Sequence, residues 1–481
     1  MAKKESQGLT VKKDEDISEW YTQVIQKADM ADYTMVSGCI VFKPNSYEIW
    51  ERIKDETDKR LKLMGIKNSY FPLLIPESLL TKEKEHVEGF SPEVAWVTEG
   101  GGKKLNEKLA IRPTSETIMY DSYSKWIRSW RDLPLKLCQW NNVVRWEFKH
   151  AVPFLRTREF LWVEGHTVFA AKEEAEKEMK DIMELWQLIC NDYLALPSLA
   201  GQKTEKEKFA GAEYTQTLEF YLPSGKAAQG PDAHFDGQKF AKAFDIKFLD
   251  KNEKEQYVYQ NTWAITTRML GVMIMVHGDD RGLIIPPKIA PTQVVIVPIL
   301  TKDDKENVLK KASEIKEGLE KKFRIYLDDR ENYSPGWKFN EWELKGIPIR
   351  LEIGPKDIKK DQVVLVRRDL NTKKEIKISH LKDEVEALLE TIQKSLFMKA
   401  KKLLNDNIAE VKNWKEFEDA VKNKKIVKAN FCNVTECEDE IKSKLEGAKA
   451  LNIPFNQEGL EKNCAHCGKK AKVIAYFAKS Y

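Results

Sequence analysis

The 481-residue chain carries, at 145–162, the run RWEFKHAVPFLRTREFLW, in which Arg145, Arg156 and Arg158 are interspersed with Glu147 and with Phe148, Phe154, Phe160 and Trp162. A guanidinium is a rigid fork that donates two parallel hydrogen bonds to a phosphate. An aromatic ring beside it can stack on a purine, and a nearby carboxylate can orient the arginine or accept from the base. The same run also reads as a surface hairpin with cross-strand ion pairs, each worth less than about 1 kcal/mol.

A second set of reactive side chains lies in the last 50 residues, where Cys432-x4-Cys437 and Cys464-x2-Cys467 make a four-thiolate group suited to tetrahedral zinc. His466, inside the second pair, is a rival ligand. A disulfide framework is disfavoured in a reducing compartment. Four protein ligands leave no open position, so the metal's role is structural. Cys39, Cys138 and Cys190 are scattered and read as buried thiols. No Ser-His-Asp or Cys-His arrangement stands out.

Apolar residues make up 42% and charged residues 32%, which excludes a disordered or membrane-embedded chain. A net charge of +4 is too mild to establish nucleic-acid binding, yet it tolerates a phosphate backbone. MAKKESQGLTVKKDED has no apolar signal core, and MLGVMIMV at 269–276 is too short to span a bilayer. The expected location is cytoplasmic, with no membrane or DNA partner.

Several elements must position these groups. Trp50, Ile53, Thr57, Leu61 and Met64 keep helical spacing, predicting a helix over 46–66 that Gly65 ends. A short apolar strand follows at 69–76, broken by prolines. Residues 108–126 run from strand into helix, with Thr114 and Ser115 as candidate caps. The arginine-rich run reads as two strands joined by a loop around 149–153. Residues 170–195 are helical, 213–221 and 246–249 extended, and 262–278 pass from strand into buried helix. Strands here do not alternate with helices, so the first 285 residues form an antiparallel sheet with flanking helices, an α+β domain. After Pro286–Pro287 a compact α/β unit occupies 291–385, with strands in TQVVIVPIL, RIYLDD, IPIRLEI and QVVLVRR. A long helical stretch and the cysteine-bearing module complete the chain.

These motifs, in this order, resemble the prolyl enzymes of the class II aminoacyl-tRNA synthetases. RWE followed by PFLRTREFLW is similar to their motif 2, and the helix 46–66 with the strand through Pro72 to their motif 1. NTWAITTR (261–268) resembles motif 3; RPTSE (112–116), FAGA (209–212) and AAQGPDAH (227–234) resemble the segments lining their amino-acid pocket. LDDRENYSPGWKFNEWELKGIPIRLEIGPKD (327–357) resembles the anticodon-binding domain shared by the proline, threonine, histidine and glycine enzymes. The cysteine tail ending in Tyr481 resembles the zinc-binding tail of archaeal and eukaryotic-type members.

The resemblance implies a charged leader at 1–16, a catalytic domain at 17–286, an anticodon-binding domain at 287–385 and a small α/β zinc-binding domain at 386–481. It implies activation of L-proline with ATP and Mg²⁺, transfer to tRNA(Pro), and a homodimer formed through motif 1. Arg145 and Arg268 are the implied catalytic arginines. Nucleotide contacts are implied for Arg145, Glu147, Arg156, Thr157, Phe160, Gln229, Asp232, Thr266 and Arg268. Proline contacts are implied for Thr114, Glu116, Arg145, Trp162, Glu164, Phe209, His234 and Thr262. The remaining histidines, His466 aside, read as structural.

Two positions depart from the family pattern: Asp232 replaces a small hydroxyl residue, and Ala264 a glycine. The interval 168–260 is too short for the editing domain that one family branch inserts there. Lys399–Lys402 and Lys422–Lys428 read equally well as tRNA contacts or solvated helix faces, and Arg330, Lys338 and Glu343 fall in the anticodon-domain motif. Two other readings stand beside this one: a related class II enzyme for a different amino acid, and a non-catalytic synthetase-like RNA-binding or regulatory protein.

Overall fold

Alternation on a few long strands builds the centre of the molecule. On strand Glu159–Phe169, Val163 and Phe169 turn into the hydrophobic core, as do Trp263 and Ile265 on Tyr259–Thr266 and Ala233 and Phe235 on Ala227–Gly237. Their even-numbered neighbours face the other way, and these are the charged and polar residues that the sequence singles out. The computed structural model describes residues 8–86, 93–147, 151–301 and 303–481. Phe148 lies outside the described residues, as does the start of the leader.

The core side of the sheet is covered by helices Pro44–Leu63, Lys172–Leu188 and Arg268–His277, with Trp20, Trp50, Trp186 and Met273 among the buried residues. Trp50, Ile53, Thr57 and Leu61 are buried on the first of these, as their spacing predicts. On the other face, a smaller cluster of Phe71, Tyr120, Tyr123, Phe240 and Phe244 closes one end and leaves the middle open. The 69–76 strand is largely absent: only Lys67–Asn68 and Leu74–Pro76 are extended, on two different sheets. Pro72 cannot donate to a ladder, and the segment between serves to accept Arg112 through the Phe71 carbonyl (2.8 Å).

Among the described residues the main sheet has eleven strands, and its order was not foreseen. The strands of the catalytic region run from Leu199–Gln202 through Tyr214–Tyr221, Ala227–Gly237, Tyr259–Thr266 and Glu159–Phe169 to Leu135–Val144, all antiparallel. Of these, the sequence predicts only the segments near 213–221, 259–266 and 159–162 as extended. At Leu199–Gln202 the sheet does not end. Ile453 and Pro454 of strand Ala448–Pro454 pair with Gln202 and Gly201, so the cysteine-bearing module continues the catalytic sheet. The interval 168–260 is filled by elements of the catalytic domain itself.

The 291–385 unit is a five-stranded mixed sheet with strand Val294–Pro298 near its centre. Its long helix, Leu381–Asp406, runs straight through the expected boundary at 385/386. Val385, Leu389, Ile392 and Leu396 pack into that unit, whereas Leu404 packs with Leu199 and Leu451, so one helix ties three domains together. Arg368 also clamps Asp279 of the catalytic domain with two bonds of 2.6 and 2.9 Å. Of the three residues singled out here, Lys338 is 2% exposed and donates to the Asp328 carbonyl. Glu343 bonds Arg281 (2.8 Å), across the domain junction. Both therefore hold the fold, and Arg330, itself paired with Asp328, is the more accessible of the three.

Candidate active site

The even-numbered residues meet in rows across the strands. One row is Trp162 opposite Thr266. The next is Glu164, Ala264, Asp232 and Thr217, and the third is His166, Thr262, His234 and Thr215. These rows floor a cavity of about 1240 Å³. Every residue for which a nucleotide or proline contact is implied lines it, from Thr114 and Glu116 at one end to Arg156, Thr157 and Arg268 at the other. Ala264 and Asp232, the two departures, are direct cross-strand neighbours. Gly165 is required by close packing, because a Cβ there would lie 2.0 Å from the Trp263 ring.

The arginine end is built by a loop and a helix start. Tyr21 donates from its hydroxyl to the Pro153 carbonyl (2.7 Å), and Phe154, in the left-handed region at φ +61°, packs its ring 5.2 Å from Phe42. This fixed turn presents the Leu155 carbonyl to Arg268 Nε (3.0 Å), while Arg268 Nη1 donates to the Gln229 carbonyl (3.1 Å). Arg145 Nε donates to the Pro113 carbonyl (3.1 Å), and its guanidinium lies 5.4 Å from both the Phe160 and Trp162 rings. Burial, followed by the charge of Arg145, pushes the Arg268 guanidinium below its ordinary value, and Arg156 adds to this. Asp232 acts in the opposite sense. Three cations therefore share one partly desolvated space, an arrangement that favours a polyanion.

The other end is acidic. Ser115 occupies the N-cap position of helix Glu116–Trp126, but its side chain makes no capping bond. Instead its hydroxyl and its backbone N–H (3.1 Å) both donate to Glu164. Thr114 donates to Glu116 and lies 3.3 Å from Glu164. The expected caps thus bind carboxylates. Gln139 (3.0 Å) and Asn141 (2.7 Å) also donate to Glu164, and His166 Nε2 lies 3.1 Å from it. Burial raises the Glu164 carboxyl, but His166, Ser115 and Asn141 outweigh it and hold Glu164 at about 2. Burial lowers His166, yet Glu164 and Glu116 outweigh it and raise the imidazole above its ordinary value. Both carboxylates border the cavity; Glu164 directs its bonds to several protein groups, whereas Glu116 accepts from the Thr114 hydroxyl.

His166, Ser115, Gln139 and Asn141 were missed by sequence reasoning, which took His166 as structural. A signal existed: His166 follows Glu164 by two and Trp162 by four on a strand, so all three share a face. His234 stands between Thr215 Oγ1, 2.8 Å from its Nδ1, and Asp232 Oδ1, 3.5 Å from its Nε2. Phe209 N–H donates to the same Thr215 hydroxyl (3.0 Å), and the Phe209 ring lies 4.9 Å from the imidazole. Burial lowers His234 from its usual value of 6.5. Asp232 also accepts from Gln229 Nε2 (2.9 Å).

The four cysteines come together as well. Cys432, Cys437, Cys464 and Cys467 present sulfurs within 4.8 Å of one another, with Cys437–Cys464 at 3.9 Å and Cys432–Cys467 at 3.7 Å. A tetrahedral site with roughly 2.3 Å metal–sulfur bonds has edges of about 3.8 Å, so these four fit zinc. His466 stands beside the group: its Nδ1 lies 3.2 Å from Cys437 Sγ and its Nε2 3.0 Å from Lys444 Nζ. Of the other thiols, Cys138 and Cys190 are buried, and Cys39 is only partly so.

An antiparallel sheet floored by such rows, with an arginine from the 145–162 run facing one at the start of the following helix, is the core of a class II aminoacyl-tRNA synthetase. Residues 96–277 match the tRNA synthetase class II core domain (G, H, P, S and T), 293–388 the anticodon binding domain, and 414–481 the prolyl-tRNA synthetase C-terminal domain. The chain is 50% identical over 482 residues to proline–tRNA ligase 2 of Bacillus cereus (strain ATCC 10987 / NRS 248) and 51% identical over 484 residues to proline–tRNA ligase of Alkaliphilus oremlandii (strain OhILAs), covering 100% of both partners in each case. It is 49% identical over 469 residues to proline–tRNA ligase of Clostridium botulinum (strain Loch Maree / Type A3), covering 97% of each. The chain belongs to the proline–tRNA ligase family.

Proposed function

We propose that this cavity activates L-proline with ATP and passes the prolyl group to tRNA(Pro). The observation that carries the reading is the convergence of Arg145 and Arg268 on one cavity whose far end holds Glu116. A proline carboxylate oxygen attacks the α-phosphorus of ATP, and the bond to pyrophosphate breaks. The terminal ribose hydroxyl of the tRNA then attacks the carbonyl of prolyl-adenylate, and AMP leaves. No covalent nucleophile is required of the protein; orientation and charge stabilisation carry the rate. Arg145 bridges the two anions that must meet. Arg156, Thr157 and Arg268 hold the outer phosphates, while Phe160 and Glu147 take the adenine, with Gln229 and Thr266 completing the contacts. Mg²⁺, when bound, neutralises the phosphates. Glu116 receives the ring's ammonium with Thr114; Trp162, Phe209, His234 and Thr262 enclose the ring. Glu164 supports Thr114, Ser115 and His166 from beneath. Proline-dependent ATP–pyrophosphate exchange tests the reading: exchange with threonine, histidine or glycine in place of proline would move it to another class II enzyme, and no exchange at all would leave a non-catalytic protein.

Asp232 competes with the triphosphate for Arg268. Asp232→Thr is expected to lower the KM for ATP by roughly three- to tenfold, up to about 1.4 kcal/mol, without changing the preferred amino acid. Initial-rate measurements over a range of ATP concentrations check this, and an unchanged ATP dependence would remove the assignment. A small apolar pocket separates proline from alanine by only about 1–3 kcal/mol. With 168–260 committed to the catalytic domain, alanyl-tRNA(Pro) is expected to persist in the presence of the purified chain, as a deacylation time course would read.

We infer that the four thiolates hold one structural zinc per chain. Cys464→Ser is expected to abolish the bound metal, read by elemental analysis, and to destabilise residues 407–481. Exposed Leu63, Tyr70 and Leu74, on and beside the motif 1 segment, support a homodimer formed there. Among the described residues no helix is long and apolar enough to cross a membrane; we take the location as cytoplasmic. We infer the archaeal and eukaryotic-type subtype from the short 168–260 interval and the four-cysteine C-terminal module.

A further inference from the structure

The rim of the cavity is not held by the catalytic domain alone. Lys203, Glu205, Lys206, Glu207, Lys208 and Phe209 line one side of it. Within this segment Lys203 pairs with Glu219 (2.6 Å), both almost fully buried, and the amides of Glu207 and Lys208 close a turn onto the Thr204 carbonyl. The outward side of the same segment is taken up by the C-terminal module. Glu438 is 1% exposed, and its carboxyl is buried in this contact beside Thr204. Asp439 pairs with Lys206, and Lys449 with Glu207 (2.5 Å). Asn452 Nδ2 donates to the Leu199 carbonyl (2.8 Å), just before the rim.

Cys437, Glu438 and Asp439 are consecutive residues in the early part of helix Thr435–Lys444. One residue contributes a sulfur to the four-thiol cluster, and the next two grip the rim. From the rim the contacts continue inward: Phe209 N–H bonds Thr215 Oγ1, which bonds His234, and the Phe209 ring packs on the imidazole. A short helix of ten residues whose start is fixed by a cluster has little freedom to keep its partners if that start is released.

We propose that Glu438 and Asp439 are positioning residues that couple the four-thiol cluster to the amino-acid pocket, so that a closed cluster holds the 203–209 rim, and with it Phe209, in place against His234. The proposal rests on the reading of this cavity as the proline site. It makes the C-terminal module a determinant of proline binding: the module's own contacts fall on Leu199, Thr204, Lys206 and Glu207 rather than on Arg145, Arg156 or Arg268. Loss of zinc or oxidation of the thiols would then be felt first as weaker amino-acid binding.

The test uses the full-length chain. Hydrogen–deuterium exchange at 203–209 is compared between the untreated chain, the chain stripped of metal by a chelator, and the double variant Asp439→Ala/Lys449→Ala. Faster exchange in this segment is expected in both altered forms, with metal content unchanged in the variant. In pyrophosphate exchange the variant's KM for proline should rise about threefold or more, with kcat and the KM for ATP within a factor of two. Asp439→Glu should behave as the unaltered chain. Unchanged protection at 203–209 after stripping, or an unchanged KM for proline in the double variant, overturns the coupling. Absence of proline-dependent exchange in the unaltered chain would overturn the proline-site reading instead, and with it the proposal's kinetic half, while the exchange of 203–209 would still report whether cluster and rim are linked.

Discussion

Replacing Arg145 with alanine is expected to lower proline-dependent ATP–pyrophosphate exchange by roughly a hundred- to a thousandfold, about 2.7–4 kcal/mol, the scale seen when one preorganised donor to a developing charge is removed. Its position explains the size. The Pro113 carbonyl takes Nε, and the Phe160 and Trp162 rings lie 5.4 Å from the guanidinium, so its orientation is set before any ligand arrives. Arg145 lines the same cavity as Glu116 and Arg268. Two anions must approach there, and no neighbouring cation can take over, because Arg268 is anchored to Leu155 and Gln229. Arg145→Lys should recover less than a tenth of the activity. Lysine is a point charge without the planar fork, and it cannot hold the Pro113 carbonyl and still present two parallel donors. Single-turnover formation of adenylate separates this loss from any change in proline affinity. A variant within tenfold of the parent would contradict the role.

Glu164→Ala carries the second large effect, on stability. Removing this carboxylate leaves His166 without its carboxylate partner in a fully buried place, and it strands donors from Ser115, Gln139 and Asn141. Breaking one side of a buried ion pair costs about 3–5 kcal/mol. For a domain of this size that lowers the thermal midpoint by roughly 10 °C. The direction with pH follows from the two shifts. Glu164 sits below its ordinary value, so its contribution is complete above the ordinary carboxylate range and is lost as pH falls toward about 2. His166 is raised, so its contribution is complete below 6.5 and is lost as pH rises through its higher folded value. The stability gap between parent and Glu164→Ala should therefore be widest between the ordinary carboxylate range and 6.5, and should narrow as pH rises through the higher folded value of His166 or falls toward about 2, as urea unfolding at several pH values would read. Equal stability of parent and variant at pH 6 would refute the pairing.

The lining of the candidate site was largely legible in sequence because it depends on local order. Strand alternation alone puts Trp162 and Glu164 on one face, and the resemblance supplied their counterparts on the neighbouring strands. What sequence could not supply is choice between partners. Thr114 and Ser115 have the side chains of helix caps, and only the tertiary placement of Glu116 and Glu164 beside them diverts those hydroxyls. His166 looked structural for the same reason: its neighbour Glu164 is two residues away, but the burial that makes the pair matter comes from Tyr120 and the strands around it. The apolar stretch 69–76 has strand composition, and Pro72 together with the need to accept Arg112 decided against it. Lys338 illustrates another limit: its place in the anticodon-domain motif gives no sign that it is enclosed by its own domain. The docking of Ala448–Pro454 onto Leu199–Gln202 joins segments some 250 residues apart through backbone bonds. No side-chain pattern encodes such a pairing.

That pairing has a bearing on how the chain can be shortened. A protein cut after 406 would leave Leu199–Gln202 as a raw margin, its amides and carbonyls facing water and its Gly201 offering no side chain to keep other strands away. Such margins recruit whatever extended segment is at hand, including another copy of themselves. The C-terminal module is in this sense the hem of the catalytic sheet, and a truncated form would need a new one before it could remain in solution.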